Sequence, residues 1–562
     1  MDMIEFNEDK QNRKISGLLK REEEELVQLL SAKYGVEYVD LTVTAVNTDA
    51  LRLIEESVAR AAKSASYALV NRRVTVATRN PEDPKVVAIV DDLKKKGYEP
   101  FVSICSMASL EKAWTAYKDL SFAYETKAGS LQVSSEEIAS IVEKAKSLPA
   151  IVEILESTLA MKKSYRVSKI LETILAGALA TEASDVHIEP EEAYIRLRYR
   201  LDGVLVDVIN FDLDTYHLLL SRIKLLSGLK LNIKKDAQDG RFSVHIGTDD
   251  IEIRTSVLPG AYDESIVMRL LNPKTISVPM EELGIPKKLL SILTKEITKP
   301  NGMLLTTGPT GSGKTTTLYA FLRKVHSPQV KIITIEDPIE YHLPGIVQTQ
   351  VNEKGYTFLE GLRSALRQDP DIIMIGEIRD GETASIAINS SLTGHLVFST
   401  LHTNSAAGAF PRLIDLGINS KIMSSSINIV LAQRLLRRLC PFCRKEVALG
   451  EEKNADIKKK IDAVLATIVD KNEIPTMPAT VFTANGCDKC NMTGYKGRIG
   501  IYEGMKLNEE VNKVIDYNSS EAEIAKIAAP QGILTMTQDG IIKVLTGVTS
   551  LDELERVITV TE

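Results

Sequence analysis

The chain has 562 residues, room for three or four domains of about 100–200 residues each. Its 44% hydrophobic and 26% charged residues are those of an ordinary soluble protein, and a net charge of −7 excludes a global pull toward nucleic acid or anionic lipid. No apolar run approaches the ~20 residues that cross a bilayer, and the acidic start Met1-Asp2-Met3-Ile4-Glu5 lacks the apolar core of a signal peptide. A cytosolic protein is expected, meeting membranes only through a partner.

Residues 1–120 read as a small α/β domain. Leu26, Leu29, Leu30 and Tyr34 recur at helical spacing before Gly35, a suitable helix stop. Tyr67 to Ala77 reads as a tight hairpin, and Cys105 as a small core residue in an apolar stretch. Residues 121–160 follow as linker and helices, polar around Lys127-Ala128-Gly129-Ser130. A second domain is expected over 161–280, with alternating strands such as Tyr194–Arg200, turned at Asp202-Gly203 into Val204–Val206. From 281 onward the apolar runs Met303–Thr307, Ile332–Ile335, Ile372–Ile375 and Leu396–Thr400 alternate with helices, the pattern of a parallel α/β sheet. Such sheets gather ligand loops at the carboxyl ends of their strands, where the next motifs fall.

The most specific of these is Gly308-Pro309-Thr310-Gly311-Ser312-Gly313-Lys314-Thr315-Thr316, a G-x-x-x-x-G-K-[ST] run between an apolar strand and a helix. Glycines let successive N–H groups curl around a phosphate, and the positive end of the following helix faces the anion. Lys314 supplies a point charge to the β- and γ-phosphates, and Thr315 offers a hydroxyl to Mg2+. The run is expected to bind a nucleoside triphosphate.

Three clusters follow it. Ile335-Glu336-Asp337-Pro338-Ile339-Glu340-Tyr341 throws carboxylates onto a loop where one could orient or deprotonate water; spacing alone does not separate Glu336 from Glu340. Asp369–Glu377 is an apolar strand ending in an acid, as a Walker B element requires, with Gly376-Glu377 in place of the usual Asp. Glu377 would hold Mg2+ through its water shell, or pair with Arg379. Gly394–Thr403 carries two of the chain's seven histidines. His402, at the strand end, is expected to sense a γ-phosphate, while His395 fits either that role or a structural one.

Four of the five cysteines form two C-x-x-C pairs, Cys440/Cys443 and Cys487/Cys490. In a reducing compartment they point to metal, and four thiolates make a closed zinc site with no open catalytic position. Such a clip would pin together the ends of an insertion at about residues 438–498. Redox pairing and unbound thiols are the alternatives.

Together the phosphate loop, the acidic box, Gly376-Glu377-Ile378-Arg379-Asp380 and the histidine box resemble the secretion-type ATPase superfamily, the motors of type II secretion and type IV pilus assembly. Ala183-Ser184-Asp185-Val186-His187-Ile188-Glu189-Pro190, Arg200-Leu201-Asp202-Gly203, Gln238-Asp239-Gly240-Arg241 and the tetracysteine insertion match as well, so the resemblance covers about residues 150–562. It implies an α/β fold with a RecA-like P-loop motor domain over 281–562 that carries the zinc insertion. Before it would come an α+β, PAS-like second domain over 161–280 and a small α/β amino-terminal docking domain. It implies ATP as substrate, with Mg2+ and Zn2+ as ions. By motif, Glu340 would activate water, Glu377 serve the magnesium ion and His402 the γ-phosphate. Arg241, Arg254 and Arg269 are the arginines that the second domain would lend to the nucleotide.

The resemblance further implies a homohexamer at the cytoplasmic face of the inner membrane, assembling a pilus or pseudopilus through a membrane platform protein. The tetracysteine insertion favours assembly over retraction. At the amino terminus the chain departs from the family: Ser16-Gly17-Leu18-Leu19 and the acidic run Glu22–Glu25 stand where some relatives carry an Arg-Leu-Gly-type leader for cyclic di-GMP. Four adjacent carboxylates would repel that dianion, so docking to a membrane-associated partner is expected instead. The run Gln433-Arg434-Leu435-Leu436-Arg437-Arg438-Leu439 also matches, although its charges read as a solvated face. The rivals are a retraction motor, a nucleic-acid translocase and a non-hydrolysing scaffold. Acidic charge and 5% aromatic content oppose the translocase, and intact Lys314, Thr315, Glu340 and Glu377 oppose the scaffold.

Overall fold

Alternating and continuous apolar runs build two kinds of sheet in this chain. A computed structural model describes residues 23–560 apart from 45, 52, 71, 116, 118–123, 126–129, 133–140, 143–146, 161–162, 247–248, 273–277, 353–354 and 518–519. The Ser16–Leu19 leader, Glu22 and most of the Lys127–Ser130 linker lie outside the described residues. The chain divides into two units, residues 1–134 with 158–172, and residues 135–157 with 173–562. Among the described residues no helix is long and apolar enough to cross a membrane.

In the first unit the helix over residues 23–34 stops at Gly35, whose φ of 64° suits a residue without Cβ. The leucine stripe does not form its inner face, however: Val27 is buried while Leu26 and Leu29 stay exposed. Strands β1 (Glu37–Tyr38), β2 (Ser64–Val70), β3 (Arg73–Thr78) and β4 (Glu99–Ile104) lie in the order β1-β4-β3-β2, with β2 and β3 as an antiparallel hairpin. Cys105 is fully buried beside Trp114, whose indole N–H donates to the Ser64 carbonyl at 3.0 Å. A short hairpin of β5 (Tyr124–Glu125) and β6 (Ser130–Gln132) follows.

The second unit contains an antiparallel sheet, which follows the helices Leu148–Leu159 and Lys163–Ala180 in the chain. Strands β7 (Asp185–Pro190), β8 (Ile195–Leu201), β9 (Val204–Phe211), β10 (Gln238–Ile246), β11 (Asp249–Pro259) and β12 (Glu264–Leu271) lie in the order β10-β11-β12-β7-β8-β9. Every second residue of β8 is buried, as a sheet with one covered face requires. The helix Leu213–Leu226, capped by Asp212, buries Tyr216, Leu219 and Ile223, and its Lys224 forms a buried ion pair with Glu264 of β12 at 2.6 Å. Register sets up one row across the strands: Arg241 stands opposite Arg254, Arg254 opposite Arg269, Arg269 opposite Asp185, and Asp185 opposite Arg200. Directly opposed residues share a face, so the three candidate arginines line up side by side.

The third sheet contains β13 (Gly302–Thr307), β14 (Ile332–Glu336), β15 (Val347–Gln350), β16 (Ile372–Ile375), β17 (Leu396–Leu401) and β18 (Ile427–Leu439). After β19 (Lys445–Ala448) and β20 (Thr480–Thr483), which pair with each other, β21 (Tyr495–Lys506) closes it. The order is β15-β14-β16-β17-β13-β18-β21, parallel at every pairing except β18 with β21. Successive strand residues enter opposite cores: Met303, Leu305, Ile373 and Val397 face one, Leu304, Ile372, Met374 and Phe398 the other. Burial on both faces is why these strands read as continuous apolar runs.

The run Gln433–Leu439 is not a solvated face but the carboxyl half of β18. Gln433 and Leu436 are buried, and Arg437 donates through Nε (3.0 Å) and Nη2 (2.6 Å) to fully buried Glu553. Burial pushes the Glu553 carboxyl up, but hydrogen bonds from Arg556 and Arg437 outweigh it and hold the group below its ordinary range. Its contribution to stability is present above the ordinary Glu value of about 4.3 and is lost as pH falls through the lower folded value. Removing one partner of a buried pair costs about 3–5 kcal/mol, so Glu553→Ala should lower the thermal midpoint clearly at pH 7. Melts in acid should show that deficit shrinking; a deficit constant with pH would put it down to lost packing.

Candidate nucleotide site and metal centre

β13 runs into the phosphate loop at Gly308, and Gly313, left-handed at φ 90° and ψ 15°, caps the helix Lys314–Val325. A Cβ on Gly308 would lie 2.5 Å from the Gln433 carbonyl oxygen and 2.7 Å from Ser312 Oγ, so a side chain there would displace the loop. Pro309, Thr310 and Gly311 are exposed; Thr315 and Thr316 lie half-buried in the first helical turn. Lys314 Nζ donates to the carbonyls of Gly308 (2.7 Å) and Pro309 (3.1 Å). Burial pushes its ammonium below the ordinary lysine range, with the Glu377 carboxylate acting the other way. Ser312 Oγ is buried with no hydrogen-bond partner among the described residues. Open backbone, a lysine and an orphan hydroxyl at a helix N-terminus suit an anionic phosphate.

The acidic box separates its two glutamates. Glu336, the last residue of β14, is 2% exposed and accepts from Tyr319 Oη, Thr334 Oγ1 (2.6 Å) and Gln348 Nε2 (3.1 Å). Burial pushes its carboxyl up against these bonds, and Glu340 adds to the rise. Glu340 sits on the following loop, its side chain 30% exposed, where Arg254 Nη1 meets it at 3.2 Å and Arg254 Nη2 donates to the Ile339 carbonyl at 2.6 Å. Gln348 also bridges that loop, accepting from Leu343 N and donating to the Tyr341 carbonyl.

At the end of β16, Glu377 is held between strands. Thr400 Oγ1 donates to the Gly376 carbonyl (2.8 Å), and Ile378 N donates to the Thr400 carbonyl (3.0 Å). The Glu377 side chain, 18% exposed, pairs with Arg379, the pairing allowed for in the sequence, and with His402 Nε2 at 3.0 Å. Burial raises its pKa, but hydrogen bonds and charge from Arg379 and His402 bring it below the usual carboxylate range. An ionised carboxylate near a threonine-bearing helix turn is the hard-oxygen donor set that magnesium takes. His395 lies at the other end of β17, its Nδ1 3.1 Å from the Ser390 carbonyl, which is a structural placement. Thr403, one residue past His402, exchanges hydrogen bonds with Thr307 at the end of β13 (N to Oγ1, 2.9 Å), tying the histidine loop to the phosphate loop's strand.

Among the described residues, Arg254 is the arginine of this row that is joined to an acidic-box residue. Arg269 is engaged with Asp185 at 2.9 Å, and Arg241, 70% exposed, lies 3.9 Å from Glu252.

The family profile described as Type II/IV secretion system protein matches residues 160–556. The chain belongs to this family. Type II secretion system protein E of Dickeya dadantii (strain 3937) is 44% identical over 392 residues, 70% of this chain and 75% of that protein. Type IV pilus assembly ATPase PilB of Myxococcus xanthus (strain DK1622) is 37% identical over 536 residues, 95% of this chain and 91% of that protein. The X-ray structure of the Legionella pneumophila ATPase DotB aligns with a TM-score of 0.49 at 20% identity, over 71% of this chain and 97% of that one. The family profile and the two relatives bear out the secretion-ATPase identity read from the motifs, and the chain is an ATPase; the α/β fold is the one its own sheets and helices show.

In this secretion ATPase the four paired cysteines converge. Their sulfurs all lie within 4.8 Å of one another, with Cys440–Cys487 at 3.9 Å and both Cys443–Cys490 and Cys487–Cys490 at 3.7 Å. Zinc–sulfur bonds of about 2.3 Å in a tetrahedron set sulfurs about 3.8 Å apart, so the cluster fits zinc and is too open for disulfides. The N–H groups of Gly486, Cys487 and Gly494 donate to its sulfurs, which favours thiolates. Between the knuckles, Leu449, Ile461, Val464 and Val481 join a core of the β13–β21 sheet.

Sequence reading missed Gln348 and Thr403 as parts of the site. Each is a neutral side chain whose role depends on a partner brought close by folding.

Proposed function

We propose that this ATPase is a Mg2+-dependent motor that acts as a homohexamer on the cytoplasmic face of a membrane, assembling a pilus or secretion pseudopilus through a membrane platform protein. The observation that carries this reading is the pair of Arg254, on the second domain's sheet, with Glu340, on the motor domain's acidic loop (3.2 Å). Arg254 cannot satisfy Glu340 and a triphosphate at once, so nucleotide arrival exchanges a contact between domains for one to the ligand. Relatives named for type II secretion and type IV pilus assembly support the assembly role.

On this reading the loop N–H groups and Lys314 grip the β- and γ-phosphates. Thr315 and Glu377 would hold magnesium, which when bound neutralises charge on the phosphates. Glu340 takes a proton from the attacking water, His402 reports the γ-phosphate, and Arg254 with Arg241 meets the charge developing in transfer. Zinc on Cys440, Cys443, Cys487 and Cys490 is structural.

The test is steady-state phosphate release by the wild type, with and without Mg2+, beside Glu377→Gln. Turnover should require the ion. Loss of a carboxylate serving the metal should lower turnover about 10–100-fold, in part recovered by raising Mg2+. Turnover indifferent to Mg2+, or none at all, would sink the motor reading, and stimulation by DNA would revive the translocase.

A further inference from the structure

Beside the phosphate loop lies a buried side chain that the reading above does not use. β18 runs parallel to β13 with Thr307 opposite Ala432, so the next residue, Gln433, arrives alongside Gly308 where the loop begins. Gln433 is 1% exposed. Its Nε2 donates to the Ser312 carbonyl at 2.8 Å, and that same nitrogen would lie 3.1 Å from a Cβ on Gly313. Its Oε1 is buried with no hydrogen-bond partner among the described residues. A buried amide with half its capacity unmet is unfavourable, whereas an apolar side chain of the same size fills the space without that cost. Packing alone gives no reason for a glutamine here.

We propose that Gln433 is a positioning residue for the phosphate loop. The inference rests on reading residues 308–316 as the triphosphate site. In a trans peptide plane the carbonyl and the following N–H point in opposite directions. Holding the Ser312 carbonyl toward β18 therefore aims the Gly313 N–H away from β18, into the cradle that takes the phosphates. The brace acts before chemistry, by keeping the loop in its anion-binding form, and so bears on nucleotide affinity more than on the hydrolytic step.

The experiment compares full-length wild type with Gln433→Met, which keeps length and apolar bulk but loses the donor, and Gln433→Glu, which keeps shape but sets a carboxylate against Ser312. ATP binding is titrated directly, kcat and KM are measured, and melts are recorded without nucleotide. Gln433→Met should weaken ATP binding about tenfold, with KM rising in step and kcat nearly unchanged, the loss expected for one ordering hydrogen bond. Gln433→Glu should bind more weakly still, and it carries the same reading if Gln433→Met does not fold. The nucleotide-free melting midpoint should barely move. ATP binding within twofold of wild type in either folded variant overturns the proposal, as does a change confined to the melt. Should the wild type bind no ATP in that titration, the site reading and this inference fall together; wild-type binding with unaltered variants removes the brace alone.

Discussion

Glu340→Gln is expected to bind ATP about as well as the wild type and to hydrolyse it at least about 100-fold more slowly, the usual weight of a positioned base. The amide keeps the shape of the side chain and can still accept from Arg254, so the loop and its contact to β11 should survive. What it cannot do is take a proton from water. Single-turnover hydrolysis with a separate ATP titration would divide the two effects, since a group acting only in the transition state lowers kcat and leaves binding alone. Should the variant keep most of its rate, Glu340 is not the base and Glu336 becomes the candidate. The structure weighs against that substitute, because Glu336 is buried and already accepts from Tyr319, Thr334 and Gln348. A water would have to displace one of those donors to reach it.

Loss of zinc should have the largest effect on stability. One zinc ion per chain is expected on the four cysteines, and stripping it with a chelator, or Cys443→Ser with Cys490→Ser, should loosen the whole core around the β13–β21 sheet. Structural zinc is worth about 10–16 kcal/mol of apparent folding free energy in small domains. A larger domain retains much of its fold without the ion, yet a loss of about 4 kcal/mol would already lower the midpoint by about 10 °C. The effect spreads because Leu449, Ile461, Val464 and Val481, all between the knuckles, belong to the same core as Leu305 and Val397 of the central strands. Metal analysis and calorimetry before and after chelation check this. A metal-free chain that melts like the untreated one would turn the reading toward redox-active or unbound thiols.

By itself the amino-acid sequence determined the features whose causes are local in the chain. The phosphate loop needs a strand, glycines free to take left-handed backbone, and a helix start within about a dozen residues, so one window of sequence holds the whole device. Two C-x-x-C pairs likewise carry their chemistry in their spacing, and runs buried on both sides had to be strands of a covered parallel sheet. Tertiary structure decided whatever depended on a partner far along the chain. Glu336 and Glu340 lie four residues apart in one acidic box, and their difference came from Tyr319, Thr334 and Gln348 closing around one while Arg254 reached the other. Arg241, Arg254 and Arg269 became a row because antiparallel register set them opposite one another, and register is settled by pairing, not by composition. The charged run at 433–439 read as a solvated surface until Glu553, from the last helix, supplied a buried partner for Arg437. A charge or an amide states only what it can bond; folding chooses the partner, and with it whether the group is exposed or buried.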